Sequence, residues 1–600
     1  MVLADELAKK QQSISVAEFF EKNKHMLGFD SPTRGIITTI KEAIDNSLDA
    51  CEEAEILPDI LVSVQKLGEG VFRVVVEDNG PGIIPEKIPN VFAKLLYGSR
   101  FHQIRQTRGQ QGIGISAAVL HAQLTTGTST LVISRVSVMM KAHKMTLTIK
   151  TETNEPEVIS HEEIEWMHPH GTHVELVFKS TMQAKKKLLE YLKYTSIVNP
   201  HARFRIEIDD EFFTLDRVSN DVPPCPISIK PHPYGIELGV LKRMTAASDL
   251  PLKEFLIKNF SKIGEKIALE IGATARLNPI VRVNTIQLEQ LNHLLDAMQT
   301  VKIPAPPASQ CLSPITEKLI VKGMEKEFQL DFIKARTRPS NVFDGNSFIV
   351  EAAIGYGGKL PPEGNAMILR FANRVPLLYQ QGACAITSTI ANINWKNYGV
   401  SQQNLPMGPI LILVHVAATN VPFTSESKDA IASIPKIERE ITLVLQELGR
   451  DLKLFLNRRN KNKLLDDRAR AICTVLPLIA KKIGEILELP PPNTSLIEGK
   501  IMRQVVLKKK STGGKISIRV DNYTMNDQEV SVYDISSDPA RNATISPDFV
   551  MEMEGEYTKV WKRTLPAGEN FEVSYTGVGG GIVDMQGVAE NMRVVVDVDV

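Results

Sequence analysis

Glu42 and Asn46 stand four positions apart in the segment Ser31-Pro-Thr-Arg-Gly-Ile-Ile-Thr-Thr-Ile-Lys-Glu-Ala-Ile-Asp-Asn-Ser-Leu-Asp-Ala. On a helix they leave the same face. A carboxylate there can take a proton from water, and an amide oxygen one turn away suits a hard cation such as Mg²⁺; Asp45 and Asp49 lie close by. The second group is Asp78, which ends the apolar run Val71-Phe-Arg-Val-Val-Val-Glu and opens Asp78-Asn-Gly-Pro-Gly. Its carboxylate could accept a hydrogen bond from an exocyclic amine such as that of adenine, with Gly80 and Gly82 leaving room for a base against the backbone. The third is Arg108-Gly-Gln-Gln-Gly-Ile-Gly-Ile-Ser, in which Gly109, Gly112 and Gly114 run into the helix-forming Ile115-Ser-Ala-Ala-Val-Leu. Amides and the positive end of a helix can hold phosphates there, and Arg100, Arg105 and Arg108 add attraction. Each group also has a plainer reading: a solvated helix face, an Asx turn at a strand end, a glycine turn.

The elements that must position these groups are legible nearby. Ser31 can cap a helix and Pro32 can occupy its first turn, and Ile36, Ile37, Ile40, Ile44, Leu48 and Cys51 form one apolar face. A dinucleotide fold would need an acidic ribose ligand about 20 residues after the glycines; here the strand-ending Asp78 precedes them. A Walker loop would close on Gly-Lys-Ser or Gly-Lys-Thr, and neither is present.

Farther along, the proline clusters at Val222-Pro-Pro-Cys-Pro, Ile303-Pro-Ala-Pro-Pro-Ala and Leu489-Pro-Pro-Pro-Asn suit neither helices nor inner strands and read as domain boundaries. Between the first two, Leu252 to Ala275 and Thr285 to Val301 read as short helices. Strand-like runs at 348–354, 367–371 and 410–416 alternate with a helical stretch near 383–394, as in an α/β domain. A long helix follows over about 435–489, and its segment with Arg458, Arg459, Lys461, Lys463, Arg468 and Arg470 outweighing Asp466 and Asp467 reads either as a DNA-facing patch or as a soluble face. Past it, Lys515–Val520, Val530–Tyr533, Phe571–Tyr575 and Met592–Val598 have the spacing of a small β-sandwich.

The chain's 600 residues exceed one core and suggest about three to five domains. Seventy basic and seventy acidic side chains cancel, so a nucleic-acid contact would have to come from local patches. Five scattered cysteines without a Cys-x-x-Cys pair argue against a disulfide framework or a zinc site and fit a reducing cytoplasm. No signal-like or membrane-length apolar run is present, so no membrane partner is expected.

In this order, the Glu42/Asn46 helix, the Asp78 loop, the glycine-rich turn and Gly171-Thr172 before Val174–Phe178 resemble the Bergerat-type ATPase of the GHKL superfamily, which includes gyrase, a heat-shock chaperone, sensor histidine kinases and mismatch-repair proteins. The resemblance implies ATP and Mg²⁺, with Glu42 as the general base, Asn46 as the Mg²⁺ ligand and Asp78 as the reader of adenine. Gly109, Gln110, Gln111, Gly112, Ile113, Gly114, Ile115 and Ser116 would cradle the phosphates. Ser99 and Arg100 would lie in the lid, and Thr172 beside the nucleotide. A histidine kinase would place a phospho-acceptor helix ahead of this module, but few residues precede Glu42. The segment Val421-Pro-Phe-Thr-Ser-Glu-Ser-Lys-Asp-Ala-Ile-Ala resembles the loop by which topoisomerase transducer domains return a lysine, here Lys428, to the γ-phosphate.

With the helical insert, Ile393-Asn-Trp-Lys-Asn-Tyr-Gly and the long helix, residues 1–490 resemble the B-subunit family of type IIB topoisomerases. The implied fold is α+β and multidomain. A GHKL ATPase with an N-terminal strap would span 1–222, a helix-two-turns-helix insert 223–306 and an α/β transducer with its long helix 307–490; beyond the resemblance, strand spacing reads 491–600 as an immunoglobulin-like β-sandwich whose role stays open. The implied partners are a DNA-cleaving topoisomerase VI A subunit in an A2B2 heterotetramer, a second copy of this chain on ATP binding, and double-stranded DNA. Tyr191, Tyr194, Tyr379 and Tyr398 read as packing residues, not as a cleaving tyrosine. Phe19, Phe20, Leu27 and Phe29 in the strap carry more apolar surface than a free tail usually exposes and are expected to pack on the second copy. A chaperone-like ATP clamp and a non-hydrolysing scaffold are the competing readings; Glu42 argues against the scaffold, and Lys428 with the insert favours DNA passage.

Overall fold

Ser31 and Pro32 start a helix, Pro32–Glu53, as their types predict: the Ser31 side chain accepts from the Arg34 amide and Pro32 takes the first turn. The computed structural model describes residues 14–101, 103–109, 112–181, 185–425, 428–536, 541–544, 550–554, 558–576 and 581–586. They fall into two bodies divided after Phe455.

In the first body an eight-stranded sheet carries the candidate site. Its strands are β1 (Asp59–Gly68), β2 (Val71–Asp78), β3 (Thr130–Arg135), β4 (Ala142–Lys150), β5 (Glu155–Ile164), β6 (Gly171–Lys179), β7 (Arg203–Ile208) and β8 (Glu211–Leu215), in the order β5-β4-β3-β6-β2-β1-β7-β8. β1 and β7 run parallel, and the other neighbours are antiparallel. Alternation sorts the two faces. Phe72, Val74 and Val76 of β2 join Ile36, Ile40, Ile44 and Leu48 of the Pro32–Glu53 helix, and Ala118 and Leu120 of the Gly114–Thr126 helix, in one core. The intervening residues form the other face, where Arg73 pairs with Glu175, Arg205 with Asp59 and His173 with Glu77.

Within the chain, the strap packs largely on its own domain. Phe29 is buried and stacks on His121 at 4.6 Å, while Phe20 and Leu27 lie against the same core. Of the four residues singled out, Phe19 alone stays open, at 39% exposure. The apolar surface that argued for a second copy is mostly used within the chain.

The insert is helical, with a core of Leu241, Leu252, Phe255, Phe260, Ile271, Leu294 and Met298. It contains Leu252–Asn259, Glu265–Thr274 and Leu288–Thr300, and also Leu238–Ala246, which the sequence does not announce. Beyond it, Asn346–Tyr356 pairs antiparallel with Ile410–Ala418, which runs parallel to Met367–Ala372. The parallel pair is joined by a crossover containing the helix Ala385–Asn392. Ile410–Ala418 is buried along its whole length, as expected of a strand covered on both faces. Within this body the start of the Pro435–Leu487 helix buries Ile437, Ile441, Val444, Leu445, Leu448 and Leu452 at helical spacing.

In the second body two four-stranded sheets share a core around Trp561, Tyr575, Ile516 and Val532, which is the expected sandwich. The strand expected at Met592–Val598 lies outside the described residues. Among the described residues, no helix is long and apolar enough to cross a membrane.

Candidate functional site

The helix, the strand end and the glycine-rich turn meet at one cavity of about 610 Å³ in the first body. Glu42, Asn46, Asp78, Ser99, Arg100, Gly109, Gly112, Ile113, Gly114, Ile115, Thr172 and Lys428 all line it. Gln110 and Gln111 lie outside the described residues. Ser116 does not line the cavity: it is buried, with its hydroxyl turned back to the Ile113 carbonyl at 3.2 Å. That bond belongs to the first turn of its own helix and turns the Ser116 side chain, though not its amide, away from the cavity.

Asp78 is the most constrained member. Ser47 Oγ donates to its Oδ2 at 2.7 Å, and the amides of Gly80 and Thr172 donate to its Oδ1 at 2.9 and 3.3 Å. Burial pushes this carboxyl up; the three donors pull it back, and it stays above the ordinary carboxylate range. Three bonds leave a carboxylate acceptor site free for a ligand in the cavity. The close approach of β6 requires a glycine, because a β-carbon on Gly171 would overlap the Asp78 carbonyl. Ser47 was missed from the sequence, although a signal existed: it is a polar residue on the apolar stripe of its helix.

Glu42 faces the turn. A methyl group on Gly114 would overlap the Glu42 carboxylate, so the glycine is what lets the helix Gly114–Thr126 begin against Glu42. Ile113, at the N-cap, offers no capping side chain, which leaves the first amides of that helix available to an anion. Gly112, at φ +61°, sits where a β-carbon would strike the Phe101 ring and the Tyr97 carbonyl. Asn46 is exposed at the cavity with its Oδ1 toward Gly109, and an amide oxygen beside this glycine-rich turn fits the oxygen-ligand preference of Mg²⁺. Asp45 is buried with Oδ1 lacking a hydrogen-bond partner among the described residues. Burial first, and the neighbouring Glu42 charge second, push it up to about 7.

The arginines of the approach are placed differently from what their sequence position suggested. Arg108 is buried and bonds Asp49 and Glu52, each at 2.6 Å, and Arg105 bonds Glu53 at 2.6 Å. Neither lines the cavity. Arg100 does, but it pairs with Asp49 at 2.5 Å and Glu53 at 3.0 Å. Burial alone would lower the Arg108 pKa, yet Glu52 and Asp49 hold it above the usual guanidinium value. Their charge is compensated by the carboxylates on the back of the Pro32–Glu53 helix, so Arg105 and Arg108 do not supply the expected attraction for phosphate. The next domain meets this region directly: Arg374 approaches Glu52 at 3.9 Å and also donates to Ser313, while Asn373 donates to the Thr107 carbonyl at 3.0 Å.

Lys428 reaches the site from far along the chain and donates to the Arg108 carbonyl at 3.3 Å. Arg34, Lys41, Tyr379 and Asp429, none singled out from sequence as ligands, complete that end of the cavity.

Three family models match. Residues 32–181 match the histidine kinase-, DNA gyrase B- and HSP90-like ATPase, 307–468 the transducer of the topoisomerase VI B subunit, and 490–592 the C-terminal domain of the type 2 DNA topoisomerase 6 B subunit. The chain is 48% identical to the B subunit of type 2 DNA topoisomerase 6 from Methanococcoides burtonii, covering 96% of this chain and 94% of that one. It is 47% identical to that of Methanosarcina acetivorans over the same shares, and 44% identical to that of Archaeoglobus fulgidus over 98% of each chain. With three family models matching in order and relatives 44–48% identical over nearly the full length, the chain belongs to the B-subunit family of type 2 DNA topoisomerase 6, the ATP-hydrolysing part of a type IIB topoisomerase.

Proposed function

We propose that this chain binds and hydrolyses ATP with Mg²⁺ and works in the cytoplasm as the ATP-driven gate of an A2B2 topoisomerase VI, passing one DNA duplex through another that the A subunit has cleaved. The observation that carries this is the convergence of Glu42, Asn46, Asp78, the glycine-rich turn and Lys428 on one cavity. Glu42 accepts the proton of the attacking water, Asp78 reads the adenine amine, and the uncapped amides after Ile113 hold phosphate. Mg²⁺, held through Asn46, would neutralise charge on the phosphates. Ser99 and Arg100 close over the nucleotide and Thr172 borders it. Lys428 adds a cation that meets a γ-phosphate and not ADP, and a contact that differs between the two nucleotides is what can move one domain against the other.

We assign residues 1–222 to the ATPase, 223–306 to the helical insert, 307–490 to the transducer and 491–600 to the sandwich. Two copies associate when ATP is bound, with exposed Ile14 and Phe19 of the strap available to the second copy. The test is ATP turnover with and without duplex DNA, for the chain alone and with a type VI A subunit. Turnover rises with duplex when the two proteins are present together; turnover indifferent to DNA in that mixture would contradict a role in DNA passage.

A further inference from the structure

Lys428 has space on two sides. It lines the nucleotide cavity and also a second cavity of about 340 Å³ bounded by Thr107, Asn373 and Phe423. Its ammonium donates to the neutral Arg108 carbonyl at 3.3 Å, a weak tether. Its backbone stands at φ +55°, a left-handed conformation that a residue with a β-carbon keeps only where its surroundings hold it.

The neighbour is held far more firmly. Asp429 is buried and ion-paired with Arg34, in the first turn of the helix that carries Glu42 and Asn46 two and three turns on. Arg34 also bonds Asp30 at 2.8 Å, and its guanidinium lies 4.7 Å from the centre of the Tyr379 ring. From the transducer side, Arg370 reaches the Asp429 carbonyl at 3.5 Å and donates to the Leu377 and Tyr379 carbonyls at 2.8 Å. The two legs of the loop close at the Phe423–Ile431 bridge.

We propose that Asp429 is the positioning residue of Lys428: its ion pair with Arg34 ties the lysine loop of the transducer to the helix of the catalytic base. The lysine's reach into the cavity then depends on a bond made by its neighbour and not on its own weak contact. Removing the Asp429 charge leaves Arg34 without its buried partner and frees the loop. This rests on the reading of Lys428 as a γ-phosphate ligand, and ADP, lacking that phosphate, should not feel the change.

The test uses the full chain and compares kcat at saturating ATP and ADP affinity for Asp429→Asn, Lys428→Ala and the double variant. Asp429→Asn lowers kcat about tenfold, within the coupling range of contacting residues, with ADP affinity unchanged. The double variant turns over no more slowly than Lys428→Ala alone, because a residue that acts through the lysine has nothing further to lose. Wild-type kcat in Asp429→Asn, losses that multiply in the double variant, or ADP affinity falling in step with kcat would each overturn the proposal. Wild-type turnover in Lys428→Ala would instead strike the reading of the lysine itself.

Discussion

Asp78 enters the cavity with three of its acceptor positions taken by Ser47, Gly80 and Thr172, so it is aimed before any ligand arrives. A hydrogen bond to a charged group is typically worth about 1.5–3 kcal/mol. Asp78→Ala should therefore weaken ATP binding by roughly ten- to a hundredfold, read by calorimetry, and equal affinity would mean that the base is recognised elsewhere. Glu42, Asn46 and Asp78 were legible because local rules place them: a four-residue spacing on a helix and the end of a strand. The fates of Arg105 and Arg108 were not. The sequence displays their charge beside the glycines, but their partners Glu53, Glu52 and Asp49 lie more than fifty positions earlier, on the helix that carries the base. Lys428 was found only through resemblance, since nothing local to a loop lysine reveals a cavity bordered by residues hundreds of positions away.

At the scale of elements, the Pro32–Glu53 helix serves three neighbours. One side packs on the sheet, another carries Glu42 and Asn46 to the cavity, and its last turns carry Asp49, Glu52 and Glu53 to the arginines. Caps and periodicity made that helix readable, and a nearly unbroken apolar run did the same for the central strand Ile410–Ala418. The helix Leu238–Ala246 was missed because Glu237, at its N-cap, makes no capping bond and prolines crowd the preceding segment. The short strand Phe332–Thr337, beside Asn346–Tyr356, was missed although Lys334 and Arg336 alternate with Ile333 and Ala335, because only two apolar side chains mark its inner face.

No sequence rule announced the pairing of Glu351 with His415, which face each other in adjacent strands, both fully buried. Glu351 accepts from His415 Nδ1 at 2.9 Å, the amides of Ile315 and Thr316 at 2.8 Å, and the Thr337 hydroxyl at 3.0 Å. Burial would raise its pKa, but these donors hold it below the usual carboxylate range. Glu351→Ala strands several buried donors at once and should cost about 3–5 kcal/mol, measured as a loss of denaturation midpoint. A change under about 0.5 kcal/mol, the range of ordinary surface substitutions, would show that the strand pair does not depend on it.

For the whole molecule, one cavity is bordered by two domains. The ATPase supplies Glu42, Asp78 and the glycine-rich turn, and the transducer supplies Lys428, Asp429 and Tyr379. In the proposed mechanism, hydrolysis at that border changes what the lysine can touch and so links ATP to the gate. The strap contributes less apolar surface to a partner copy than its composition suggested, because Phe20, Leu27 and Phe29 are engaged at home. On that proposal, strand passage is driven by hydrolysis that depends on Glu42. The most direct test is relaxation of supercoiled DNA by the full chain with a type VI A subunit, wild type against Glu42→Ala, with ATP turnover followed in the same mixture. Loss of the general base should lower turnover by about 10²- to 10⁴-fold and abolish repeated relaxation while ATP still binds. Near wild-type turnover and relaxation in Glu42→Ala would contradict it.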